Sequence, residues 1–84
     1  MTYLWSEGDP VQVETDARGI PQRMTWQGRK HRVQQIANRW RVDDGWWLQH
    51  VRRDYFKLIT DSGLLLTIFH DLLSDSWCVQ RLYD

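Results

Sequence analysis

DYFKLITDSGLLLTIFH, residues 54–70, decides the fold class. Two apolar runs rich in β-branched and aromatic residues, Asp54 to Thr60 and Leu64 to His70, flank Asp61, Ser62 and Gly63, residue types that turns favour. That pattern is a β-hairpin. Phe56 and Leu58 point one way from the first strand, and Tyr55 and Ile59 point the other. A strand with bulk on both faces is central and covered on both sides, or wrapped into a barrel.

Strand and turn signals recur at short intervals around this hairpin, as in a small barrel or sandwich rather than in βαβ units. Val11 to Glu14 alternates, with Val11 and Val13 inward and Pro10 at the strand start, where its missing N–H is harmless. Ala17, Arg18 and Gly19 form a turn. Gln22 to Trp26 puts Met24 and Trp26 on one face, and Gln27 with Gly28 reads as a tight hairpin turn. The closing strand, Trp77 to Tyr83, places Trp77, Val79 and Tyr83 together.

Arg29 to Val42 admits two readings. Val33, Ile36, Ala37 and Trp40 fit the helical i, i+3, i+4, i+7 spacing, so one short helix near residues 33–40 stays open. A strand requires an inserted residue, a β-bulge or bend near Gln34 and Gln35, which would put Ile36, Trp40 and Val42 on one face. The bent strand is the preferred reading. The expectation is therefore an all-β domain over residues 1–84, a small antiparallel SH3-like or partly open barrel of five to six strands. Residues 1–9 would be a loosely ordered N-terminal arm.

Eighty-four residues build one core and bury about 60 to 65% of the unfolded surface. With 42% apolar residues and six tryptophans, the chain has the bulk to fold, at a net stability of about 5 kcal/mol. A lone cysteine, Cys78, excludes an internal disulfide, and the first residues do not read as a signal peptide. Both fit a reducing cytoplasm. No apolar run approaches the ~20 residues of a membrane helix, so a membrane is not an expected partner.

Eleven basic and eleven acidic residues cancel, but they are unevenly placed. Residues 1–16 hold four acids and no Lys or Arg, whereas residues 17–42 hold seven basic residues and no acid. Interleaved with tryptophans, such a segment can neutralise phosphates while an exposed ring stacks on an unpaired base. The candidate nucleic-acid-binding residues are Arg23, Lys30, Arg32, Arg39, Arg41, Arg52 and Arg53, with Trp46 and Trp47. Pleating would gather four or five of these cations on one outer wall, and would leave one of the adjacent Trp46 and Trp47 outside the core. The competing explanation is a set of ordinary solvated faces paired with nearby carboxylates. Trp26, Trp40 and Trp77 read as structural.

Three further stretches carry a resemblance: ANRWRVDDGWW (37–47), VRRDYFKL (51–58) and WCVQRLYD (77–84). Together they resemble the C-terminal segment of ImuB-type proteins, catalytically degenerate relatives of Y-family DNA polymerases, and a family of short bacterial proteins sharing that segment. The similarity spans about residues 11–84. It departs at Asn38 and Arg39, where ImuB-type segments often carry Gly-Pro; a helix-breaking pair there agrees with the bent strand. The resemblance implies a role near DNA repair or translesion synthesis, and assigns no binding residue.

Catalysis finds little support. Cys78 with His31, His50 or His70 imitates a thiol and base, yet a thiol between Trp77 and Val79 is normally buried and inert. The histidines lack metal-ligand spacing, so no catalytic residue, metal or cofactor is expected. The chain is expected to be a non-catalytic binding module, associated with DNA or RNA in a repair or translesion setting. The alternative is a protein-interaction or homodimerisation module, using Tyr55, Ile59, Leu65 and Phe69 against a repair or polymerase protein or a second copy.

Overall fold

A computed structural model describes residues 2–45 and 50–83. Seven strands run in chain order: β1 (Thr2–Pro10), β2 (Gln12–Thr15), β3 (Pro21–Trp26), β4 (Arg29–Gly45), β5 (His50–Thr60), β6 (Leu65–Asp71) and β7 (Ser76–Tyr83). All pairings are antiparallel, in the order β1-β7-β6-β5-β4-β3-β2. β2 to β7 form a meander whose neighbours follow one another along the chain. The exception is β1, which lies beside β7 at the far edge.

That exception shapes the molecule. Seven strands spaced about 4.8 Å apart make a flat sheet nearly 30 Å wide, yet Val11 alone joins β1 on one edge to β2 on the other. The sheet must curl until its edges meet, giving an open half-barrel. Val11 seals the junction, its N–H donating to the Trp77 carbonyl at 3.1 Å. Beside it, Trp26 Nε1 donates to Asp9 Oδ2 at 2.8 Å, and Trp5 meets the Trp26 ring edge-on with centroids 5.4 Å apart.

The expected all-β, partly open barrel holds, with more strands than the five or six anticipated. The 54–70 hairpin is β5–β6 at the centre of the sheet. Phe56, Leu58, Leu66, Ile68 and Val79 fill the concave face, met by Val11, Met24 and Trp26 from across the curl. Tyr55 and Phe69 are buried on the opposite face, so the strand is covered on both sides. Gln27 and Gly28 both adopt positive φ, 51° and 77°, between paired Trp26 and Arg29, which is the mirror-image turn that matches strand twist. Asp16 Oδ1 accepts the Arg18 and Ile20 amides and fixes the turn at 17–19.

Three expectations are corrected, and the choice at residues 33–40 falls to the preferred bent strand. Residues 2–10 are not a loose arm: Thr2 to Leu4 and Asp9 to Pro10 pair with β7, and Trp5 packs on the core. No helix forms at 33–40; β4 passes through that stretch with register breaks at Val33/Gln35 and Ile36/Asn38, the bend the strand reading required. There are two breaks rather than one, so Ile36 packs toward the core while Trp40, opposite Tyr55, lies on the outer face and is 38% exposed. Finally, the break between Thr67 and Ile68 leaves Gln80 unmatched in β7. Leu82 therefore joins the core, and Tyr83 turns away from Trp77 and Val79.

Candidate nucleic-acid interface

Cross-strand partners share a face of the sheet, so register sorts the cations. In β3, buried Met24 and Trp26 alternate with exposed Arg23 and half-buried Thr25. Arg23 faces Arg32 directly, and Thr25 faces Lys30. These three cations therefore stand together on the outer wall, beside Gln12 and Glu14 of β2. They line an open depression of about 400 Å³ together with Asp61 and with Glu14, which pairs directly opposite Arg23. Asp61 Oδ1 accepts the Arg32 backbone N–H at 3.2 Å, while the Asp61 N–H donates to the Arg32 carbonyl at 2.9 Å. His31 Nδ1 lies 2.9 Å from Ser62 Oγ, a second tie between β4 and the β5–β6 turn. The backbone carrying Arg32 is thus anchored, and the guanidinium is left to the solvent.

Among the described residues, no carboxylate lies within 4.0 Å of the charged nitrogens of Arg23, Lys30 or Arg32. Two like charges directly opposed on a ladder destabilise it, by about 0.2–1 kcal/mol. Arg23 and Arg32 are such a pair.

The other expected cations are elsewhere. Past the two bulges, Arg39 and Arg41 face inward: Arg39 lies over Phe56 at 5.4 Å, and Arg41 forks onto Asp54 at 2.6 and 3.0 Å. That hydrogen bond holds the Asp54 carboxyl below the ordinary carboxylate range and raises Arg41. Arg52 and Arg53 take opposite faces, as adjacent strand residues must. Arg52 lies 3.8 Å from Asp43, which also binds His50 Nε2 at 2.9 Å. Arg53 lies 3.8 Å from Asp71, with its guanidinium over Phe69 at 4.4 Å and its Nε buried without a hydrogen-bond partner. The single outer wall of four or five clustered cations is therefore corrected to three. Arg41, Arg52 and Arg53 follow the competing explanation of pairing with carboxylates. Trp46 and Trp47 lie outside the described residues.

Two outer cations escaped the sequence reading. Lys57 Nζ and Arg81 Cζ sit 4.7 and 5.7 Å from the Tyr83 ring, and neither has a carboxylate within 4.0 Å among the described residues. A hydrogen bond with Thr67 at 3.2 Å lowers the Tyr83 hydroxyl pKa, helped by these charges. Lys57 was findable, since it alternates with Tyr55 and Ile59. Arg81 reaches the same face only through the bulge at Gln80.

Of the four residues read as a docking face, Tyr55 and Phe69 are 8% and 2% exposed, and Ile59 and Leu65 are half-buried. Trp40 stacks on Tyr55 at 5.3 Å, while Arg53 and the β1 backbone at Gly8 cover Phe69. The chain covers much of that face itself. Cys78, opposite Phe69, and His70, opposite Trp77, point to opposite faces; burial raises the Cys78 thiol pKa. His70 stacks on Trp77 at 4.3 Å and binds Asp75 at 2.7 Å.

No family model, curated protein or solved structure matches this chain.

Proposed function

We propose that the protein is a non-catalytic binding module that takes single-stranded nucleic acid on its outer wall, through Arg23, Lys30 and Arg32. The observation that carries this reading is the Arg23–Arg32 opposition. An antiparallel sheet gains nothing from two facing guanidinium groups, and a phosphate set between them relieves the repulsion while accepting bidentate hydrogen bonds. Lys57 and Arg81 extend positive charge across the same outer face, and Trp40 adds an exposed ring. The resemblance of residues 11–84 to the ImuB-type C-terminal segment supplies the setting we propose, DNA repair and translesion synthesis.

Titration of a labelled single-stranded oligonucleotide at 50 and 200 mM salt tests the reading. Three phosphate contacts on a single strand lower affinity about twentyfold over that range. Replacing Arg23, Lys30 and Arg32 by Ala together should abolish the salt-dependent part of binding. Arg52→Ala, whose charge is already neutralised by Asp43, should change it little. Absence of binding at low salt removes the proposal. The alternative reading, protein docking, draws support from a different part of the molecule.

A further inference from the structure

The half-barrel leaves β4 with a long free edge. Arg29 to Arg32 pair with β3, whereas Val33 to Gly45 pair with β5 on one side, and no described strand lies on the other. Unpaired backbone groups along such an edge are a template for another strand. Both bulges fall in the first part of that edge, where they twist it away from partners. From Asn38 to Gly45 the register with β5 runs unbroken. Arg39 to Gly45 alone is as long as an ordinary strand.

The order of charges along this segment selects its occupant. Arg39 and Arg41 come first, followed by Asp43 and Asp44. A parallel copy would set like against like. An antiparallel copy related by a two-fold axis at Val42 sets Arg41 of each chain against Asp43 of the other, Val42 against Val42, and Arg39 diagonally beside Asp43. No like charges then face each other, and the interface is isologous, as a two-fold dimer requires. Trp40, exposed and braced on Tyr55, stands beside the axis on the outer face. We propose that Arg39–Gly45 of β4 is a homodimerisation edge that pairs antiparallel with the same segment of a second copy, centred on Val42. The proposal does not rest on nucleic-acid binding, whose three cations, Arg23, Lys30 and Arg32, lie on the β3–β4 pairing outside Arg39–Gly45.

Light scattering or sedimentation without nucleic acid tests it, from about 10 µM to about 0.5 mM. The expected result is a mass that rises with concentration toward twice the monomer. In D43R/D44R, both Arg41–Asp43 pairs become like-charge pairs, and dimerisation should weaken about thirtyfold. Directly opposed residues of an antiparallel ladder lie within disulfide reach. Val42→Cys in a Cys78→Ala background should therefore oxidise to a cross-linked dimer, while Glu14→Cys in that background stays a monomer. A wild-type monomer at about 0.5 mM, or V42C cross-linking no faster than E14C, overturns the proposal. So does a folded D43R/D44R protein that dimerises as tightly as wild type.

Discussion

Gly8→Ala should be among the most damaging single-methyl changes in this protein. Gly8 lies in β1 where pairing with β7 breaks between Leu4 and Asp9, and its φ is +86°. A Cβ there would stand 2.5 Å from Cys78 Cβ and 2.9 and 3.0 Å from Phe69 ring carbons. The left-handed conformation costs a non-glycine residue about 1–2 kcal/mol, and overpacking of this kind adds about 1–3 kcal/mol. Against a total near 5 kcal/mol, the sum of about 2–5 kcal/mol is at least two-fifths of the folding free energy. Gly19→Ala separates the two terms, because Gly19 has nearly the same φ, +82°, and nothing within 4 Å of the added atom. Urea midpoints should rank wild type above G19A and G19A above G8A, with the G19A–G8A gap worth about 1–3 kcal/mol. Cys78→Ala should not rescue G8A, since the atom in the way is Cβ. Equal midpoints for G8A and G19A would refute the reasoning, because no close packing against Cys78 and Phe69 would then exist.

The remaining expectations concern the core, the ion pairs and the outer wall. Phe56→Ala empties a site that is 1% exposed and should cost about 3–5 kcal/mol, read as loss of most of the urea transition. Asp54 has a depressed folded pKa, so its stabilisation is complete above the ordinary carboxylate pKa and disappears as pH falls through the folded value. Urea midpoints between pH 5 and 2 should therefore fall less in Asp54→Asn, which starts lower, than in wild type. Burial raises the Cys78 pKa, so at pH 8 a thiol reagent should label native protein far more slowly than protein in urea. Arg23→Thr removes the like-charge pair and should raise stability by a few tenths of a kcal/mol while weakening oligonucleotide binding; a fall in stability would mean that Arg23 is satisfied within the chain.

Much of the fold was legible because residues 54–70 are two runs of β-forming residues joined by turn chemistry, and because Gln27 and Gly28 sit between two strand-forming runs. The N-terminal strand was not. Thr2 to Pro10 pairs with the far end of the chain, and its register breaks before Gly8, so no local period marks it. Without β1 beside β7, nothing in the sequence says that Val11 must bridge the two edges, and the curl of the sheet cannot be deduced. Local signals predict local pairings, and the single non-local pairing is the one that decides the shape.

The charge pattern was legible only up to the first bulge. Arg23, Lys30 and Arg32 keep their period-two relation to Met24 and Trp26, and they stand outward as alternation requires. Each bulge then reverses which residues face out, so an even number of them restores the original phase only after inserting residues that no pattern announces. The second break between Val33 and Asn38 undoes the first, so Arg39 and Arg41 share the inward side of Val33, where Asp54 and Phe56 meet them, and Trp40 faces out with Lys30 and Arg32. The same bulges interrupt the early edge of β4 and leave Arg39 to Gly45 regular, paired with β5 on one side and with no described strand on the other. A basic segment continuous in sequence is thus split into two surfaces of opposite character. One is a cluster of three cations, free of salt bridges among the described residues, that suits phosphate. The other is a strand edge whose alternating sign halves suit it to its own antiparallel copy.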